Sequence, residues 1–132
     1  MRITRERLEY IINTWKEGIP SRNYAETCSF WDKDGEFNVY KASGNPGEWG
    51  NKITRIGPSG ALELFSDFHD ECETFSYQVF GITIDLETAR AAWQVNFRGR
   101  RKGENINQEL AFMIELNSKG KISKSFIWHG NP

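Results

Sequence analysis

From about residue 74 onward the hydrophobic spacing turns from mainly helical to alternating, and this limits the fold more than any other feature of the chain. Before the change, apolar residues recur mostly every three or four positions. Leu8, Ile11, Ile12 and Trp15 form the stripe of a first helix, which Thr4 can cap and Gly18 and Pro20 stop. A shorter second helix runs from Ser21 to about Trp31, with Tyr24, Cys28 and Trp31 on one face. Asp32-Lys33-Asp34-Gly35 then reads as a turn, and Glu36 to Ala42 as a strand with Phe37 and Val39 on one side. Gly57-Pro58-Ser59-Gly60 opens a third helix, whose stripe is Leu62, Phe65, Phe68 or His69, and Cys72.

After the change, apolar residues alternate. Phe75, Tyr77 and Val79 keep one phase, and Phe80, Ile82 and Ile84 keep the other. The slip beside Gly81 predicts a β-bulge. Ala89, Ala91, Trp93, Val95 and Phe97 form the next apolar face, and Ile106, Leu110, Phe112, Ile114 and Leu116 another. Ile122, Phe126 and Trp128 form the last, with turns at Arg98 to Glu104 and Asn117 to Gly120. Helices early and strands late predict an α+β fold, its helices on one face of a curved, mainly antiparallel sheet. Residues 1–132 read as one domain, since two cores would leave too few residues for each. Ser43 to Asn51, rich in glycine around Trp49, reads as a flexible flap.

Charge narrows the partners. Seventeen basic residues face eighteen acidic ones, without the basic excess of a nucleic-acid binder. The basic run Arg98-Gly99-Arg100-Arg101-Lys102-Gly103 reads as a solvated hairpin tip, with an anion site as the alternative. Apolar runs are too short to span a bilayer. The polar first residues resemble a helix start rather than a secretion signal. Cys28 and Cys72 read as reduced core thiols, and a cytoplasmic location is expected. The outer strand faces carry Ala92, Ala111, Met113 and Ile127 among polar residues and need cover. A second copy of the sheet would supply it, so a homodimer is expected. A single monomer-sized species in light scattering at micromolar concentration would overturn that.

Several segments carry a family resemblance: Trp15-Lys16-Glu17-Gly18, Phe30-Trp31-Asp32-Lys33-Asp34 and Gly57-Pro58-Ser59-Gly60 with Leu64-Phe65 following. Thr88-Ala89-Arg90-Ala91-Ala92-Trp93 and Glu115-Leu116-Asn117-Ser118-Lys119-Gly120-Lys121-Ile122 complete the set. In order and spacing, from Ile3 to Trp128, the chain resembles the NTF2-like superfamily, in particular its SnoaL-like and ketosteroid-isomerase-like branch. The resemblance implies an NTF2-like (cystatin-like) cone in which three N-terminal helices close a curved sheet around a pocket, usually in a dimer. Family members include isomerases, polyketide cyclases, dehydratases, epoxide hydrolases and non-catalytic binding modules. The isomerases' tyrosine falls near Ile12, and their two aspartates fall in Glu36 to Tyr40 and near Phe112. That acid–base trio is absent here. The cyclases' acidic residue, near the end of the last strand, falls by His129.

The expected pocket is aromatic, lined by Tyr24, Trp31, Phe65, Trp93, Phe112 and Trp128, with Gln108 and Tyr40 orienting a cyclic, hydrophobic ligand. His69 is the candidate acid or base, because an unperturbed imidazole titrates near neutrality. Alternatively it sits at the stripe's edge, bonded to a carbonyl or to Glu73. His129 is either at the pocket mouth or solvated. Asn38 and Lys124 are further polar candidates; Asp32 and Asp34 read as turn formers rather than paired carboxylates. The two histidines stand in no metal-ligand spacing, so no metal and no cofactor is expected. The alternative to a catalytic pocket is a non-catalytic module of the same fold, with the aromatics as core alone.

Overall fold

The computed structural model describes residues 2–42, 49–69 and 72–129, and at Ala42, Trp49, Gly50, Asn51, Phe68, His69 and Phe75 the backbone alone. Helix α1 spans Arg5–Ser21. Thr4 caps it, its hydroxyl accepting from the Arg7 N–H at 3.2 Å. Leu8, Ile11, Ile12 and Trp15 are all buried on one stripe, which continues to Ile19. The helix runs past its expected stop, with Pro20 inside its last turn, and ends at Arg22 in the left-handed region. Gly18 serves helix packing instead. A Cβ there would lie 2.5 Å from Thr27 Oγ1, so its absence lets α2, Tyr24–Ser29, approach.

Trp31 starts strand β1, Trp31–Ala42, and does not end the second helix. The turn expected at Asp32 to Gly35 lies within β1, where pairing to the last strand slips between Trp31 and Glu36. Asp32 keeps turn-like bonding, accepting from the Asp34 N–H (3.3 Å) and from Asn117 Nδ2 (2.9 Å). Strand β2, Trp49–Ile56, pairs antiparallel with β1. Trp49 therefore belongs to a strand, not a flap, and residues 43–48 of the expected flap lie outside the described residues. Helix α3, Gly57–His69, follows these two strands, so only α1 and α2 are N-terminal to the sheet. Its inner face is Ala61 and Phe65; Leu62, expected there, is exposed, and Cys72 already belongs to the next strand.

Strands β3 (Cys72–Asp85), β4 (Arg90–Arg101), β5 (Glu104–Leu116) and β6 (Ile122–His129) complete one sheet of order β2-β1-β6-β5-β4-β3. All neighbours are antiparallel except β1 and β6. The expected bulge occurs in β3, where register slips between Phe80 and Thr83 around Gly81. The β4–β5 hairpin is tighter than expected. Lys102 and Gly103 alone form the turn, both at positive φ, the two-residue geometry that matches strand twist.

In β6 the faces differ from expectation. Leu116 pairs with Ile122 but Glu115 with Lys124, so one residue is bulged out and the phase reverses. Ser125 and Ile127 point inward, and Phe126 and Trp128 point outward. Tyr40 joins them outside, stacked on Trp128 at 5.9 Å. Lys124 is exposed. The inner core is a cluster of rings, in which Trp15 stacks on Trp31 and Trp31 on Phe37, each at 5.1 Å. Trp93 and Phe112 meet Trp15 edge-on. None of the helices among the described residues is long and apolar enough to cross a membrane.

Candidate functional site

The curved sheet and helices α1 and α3 leave a cavity of about 210 Å³ beside the packed rings. Its apolar wall comes from Ile19 on α1, Phe37 and Val39 on β1, and Leu64 and Phe65 on α3. Leu110, Phe112 and Ile127 close it from β5 and β6. Six polar side chains reach the same space from six elements: Lys41 (β1), Arg55 (β2), Asp67 (α3), Tyr77 (β3), Arg101 (β4) and His129 (β6).

Strand pairing explains much of this convergence. Phe37 pairs with Ser125 and Val39 with Ile127, so Lys41 comes next beside His129 on the inner face. His129 pairs with Leu110, and Leu110 with Val95, which places it over the sheet centre. Tyr77 pairs with Phe97 across β3 and β4, and the two rings meet edge-on at 6.5 Å.

The electrostatics of these groups follow from burial. Burial, and then the nearby Lys41 ammonium, push the His129 imidazole down to about 4, so it is neutral near pH 7. Burial raises the Tyr77 phenol, which therefore stays protonated. Its Oη is out of solvent and has no hydrogen-bond partner among the described residues. Gln108 Oε1, beside Phe97 on β5, is likewise buried without a partner. Arg55 is engaged at the rim, donating to Glu63 Oε1 (3.2 Å) and to the Thr54 carbonyl (3.1 Å). Burial also raises the Cys72 thiol and pushes Cys28 up to about 12, so neither is a ready nucleophile.

Of the residues expected from sequence, Phe65 and Phe112 line the cavity. Tyr24, Trp31 and Trp93 are packed behind it: Tyr24 stacks on Phe65, and Trp31 donates through Nε1 to Ser125 Oγ at 3.2 Å. Gln108 shares the inner face but is not in the wall. Tyr40 and Trp128 are on the opposite face of the sheet, turned there by the β6 bulge, and are removed from the site. Asn38 ties strands together, donating to the Ser125 carbonyl (3.2 Å) and accepting from Thr54 Oγ1 (2.8 Å). His69 ends α3, and its side chain lies outside the described residues. Tyr77 and Lys41 were missed as site residues, and Arg101 was read as part of a solvated hairpin tip with an anion site only as the alternative. The signal for Tyr77 was its inward phase with Val79; for Arg101 it was the inward phase of β4 continued past Gly99. Among the described residues, no group of three or more His, Cys, Asp or Glu side chains could hold a metal.

The fold is α+β, with a cavity between its helices and one face of a curved sheet. A protein with a cystatin-like fold from Methylobium petroleophilum superposes with a TM-score of 0.74 at 16% identity, covering 100% of this chain and 81% of that one. A candidate isomerase from Bacillus subtilis gives 0.74 at 12% identity, covering 95% and 87%. A candidate SnoaL-like polyketide cyclase from Mesorhizobium loti gives 0.62 at 15% identity, covering 91% and 97%. No family model and no curated protein matches the sequence. The chain thus has a cystatin-like fold.

Proposed function

We propose that the chain binds a small, largely apolar cyclic molecule in this cavity and acts on it by acid–base chemistry of the isomerase, cyclase or hydrolase kind. The observation that carries this reading is the buried Tyr77 hydroxyl, which faces an apolar cavity without a partner. An unpaired buried hydroxyl costs about 1–3 kcal/mol, which a ligand oxygen in the cavity would offset. Tyr77 is the donor to that oxygen, and the neutral His129 is the proton acceptor. A dry cavity of about 150 Å³ holds benzene, so this one suits one ring or two fused rings. The isomerase and cyclase descriptions of the Bacillus and Mesorhizobium proteins support the class of chemistry.

Thermal melting against a panel of one- and two-ring ketones, lactones and acids tests the reading. At least one compound is expected to raise the melting temperature of the wild type and to do so less for Tyr77→Phe. A panel silent with the wild type would overturn it.

A second reading, a non-catalytic dimerising module, rests on the outer face. Tyr40, Trp128 and Phe126 form a continuous stack there, with Phe126 and Trp128 at 5.6 Å. The face is more aromatic than its sequence suggested, and a second copy of the sheet is its proposed cover. Light scattering of the wild type and of Trp128→Lys checks this, with dimer expected for the first and monomer for the second. Two monomers would overturn it.

A further inference from the structure

We propose that the cavity's ligand is a zwitterionic aromatic amino acid, its ring against the apolar wall and its α-carboxylate and α-ammonium at the mouth, on Lys41 and Asp67. This rests on the reading of the cavity as a ligand site and adds the ligand's head group.

Burial distinguishes a closed end from a mouth. The Tyr77 Oη is out of solvent, whereas Lys41 and Asp67 line the same space and are exposed. Lys41 stands near the end of β1 and Asp67 in the last turn of α3, so the mouth has a cation on its sheet side and an acid on its helix side. The other charged or titrating groups of the wall are engaged within the protein. Arg55 donates to Glu63, and Arg101 and His129 each have interactions of their own. Lys41 and Asp67 form no ion pair among the described residues, either with each other or with a third group.

Two opposite charges that line one cavity without closing on each other suit a guest that carries both. A carboxylate answers the Lys41 ammonium. An ammonium answers Asp67, whose charge is reinforced by the negative end of the α3 dipole. A guest that is only an anion meets Asp67 with like charge, and one that is only a cation meets Lys41 in the same way. The apolar wall sets the rest of the ligand. A space of about 210 Å³ takes one aromatic ring or a fused pair, and Phe65 and Phe112 offer it ring contacts. An oxygen on the far end of that ring accepts from the Tyr77 hydroxyl.

Matched ligands test the proposal. Titration calorimetry at neutral pH compares 4-methoxy-L-phenylalanine with its N-acetyl derivative, which lacks the cation, and with 4-methoxyphenethylamine, which lacks the anion. The amino acid is expected to bind about threefold more tightly than either, the size expected of an exposed ion pair. Asp67→Asn is expected to reduce its preference over the N-acetyl acid, and Lys41→Gln its preference over the amine. Both positions are exposed, so neither substitution disturbs the core. Equal or tighter binding of either fragment, or preferences unmoved by both substitutions, overturns the proposal and leaves the ligand cavity standing. Binding of none of the three overturns this proposal, and silence of the broader melting panel as well overturns the cavity reading beneath it.

Discussion

Trp15→Ala is expected to lower the unfolding free energy by about 3–5 kcal/mol, the range for deleting a large buried aromatic side chain. Trp15 is fully buried and sits where the ring cluster converges. It stacks on Trp31 at 5.1 Å and receives Trp93, Phe65 and Phe112 edge-on within 5.9 Å. Removing it opens a void between helix and sheet that no neighbour can fill without leaving its own stack. Domains of this size hold only about 5–15 kcal/mol in reserve, so the loss is a large share of the whole. Trp15→Phe separates volume from polarity. The Trp15 Nε1 has no hydrogen-bond partner, so phenylalanine removes a buried, unsatisfied N–H along with part of the ring. Trp31→Phe removes a similar volume but breaks the bond to Ser125 Oγ, so it should cost about 1 kcal/mol more than Trp15→Phe. Urea unfolding followed by circular dichroism measures all three. A loss below about 2 kcal/mol for Trp15→Ala would show that the ring stack does not carry the interior.

Legibility in the sequence followed how local each signal is. Leu8, Ile11, Ile12 and Trp15 were readable because a helix repeats its buried face every turn, and Trp93, Val95 and Phe97 because β4 runs without a break. The inner face of β6 was not. Its inward positions include Ser125, a polar residue held by Trp31 and by the Glu36 carbonyl, while its outward positions carry Phe126 and Trp128. Hydrophobicity therefore indicates the wrong face, and only the pairing to β5 shows the slip that reverses it. Tyr40 followed the same error, since it pairs with Trp128. The turn at Asp32 to Gly35 was right in its chemistry and wrong in its setting, because turn bonding can sit inside a strand as a bulge. The polar set of the cavity was least legible of all. Lys41, Tyr77, Arg101 and His129 come from four strands, and nothing in their spacing along the chain links them. What joins them is sheet curvature, which no local pattern expresses.

Acidification across the imidazole range is expected to destabilise the protein through His129. An ordinary imidazole titrates near 6.5, and in the folded protein burial, with Lys41 second, pushes this one down to about 4. Between those limits the unfolded chain binds a proton at His129 that the folded chain refuses. The folded state thus holds fewer protons, and stability falls as pH falls. Above 6.5 the group is neutral in both states and costs nothing; below about 4 it is charged in both and the loss is complete. The whole span corresponds to roughly 3 kcal/mol. Asp32 does not confuse the window. The Asp34 N–H and then Asn117 hold its carboxyl below the usual 3.8, so its contribution is lost only at still lower pH. His129→Gln keeps a polar side chain of related size that never charges, and it is expected to flatten the curve across this window. Urea midpoints of the wild type and His129→Gln, followed from neutral pH down to about 4, give the comparison. Parallel curves would show that the imidazole at the end of β6 protonates freely in the folded protein, and that it is solvated rather than enclosed with Lys41 and Tyr77 in the cavity.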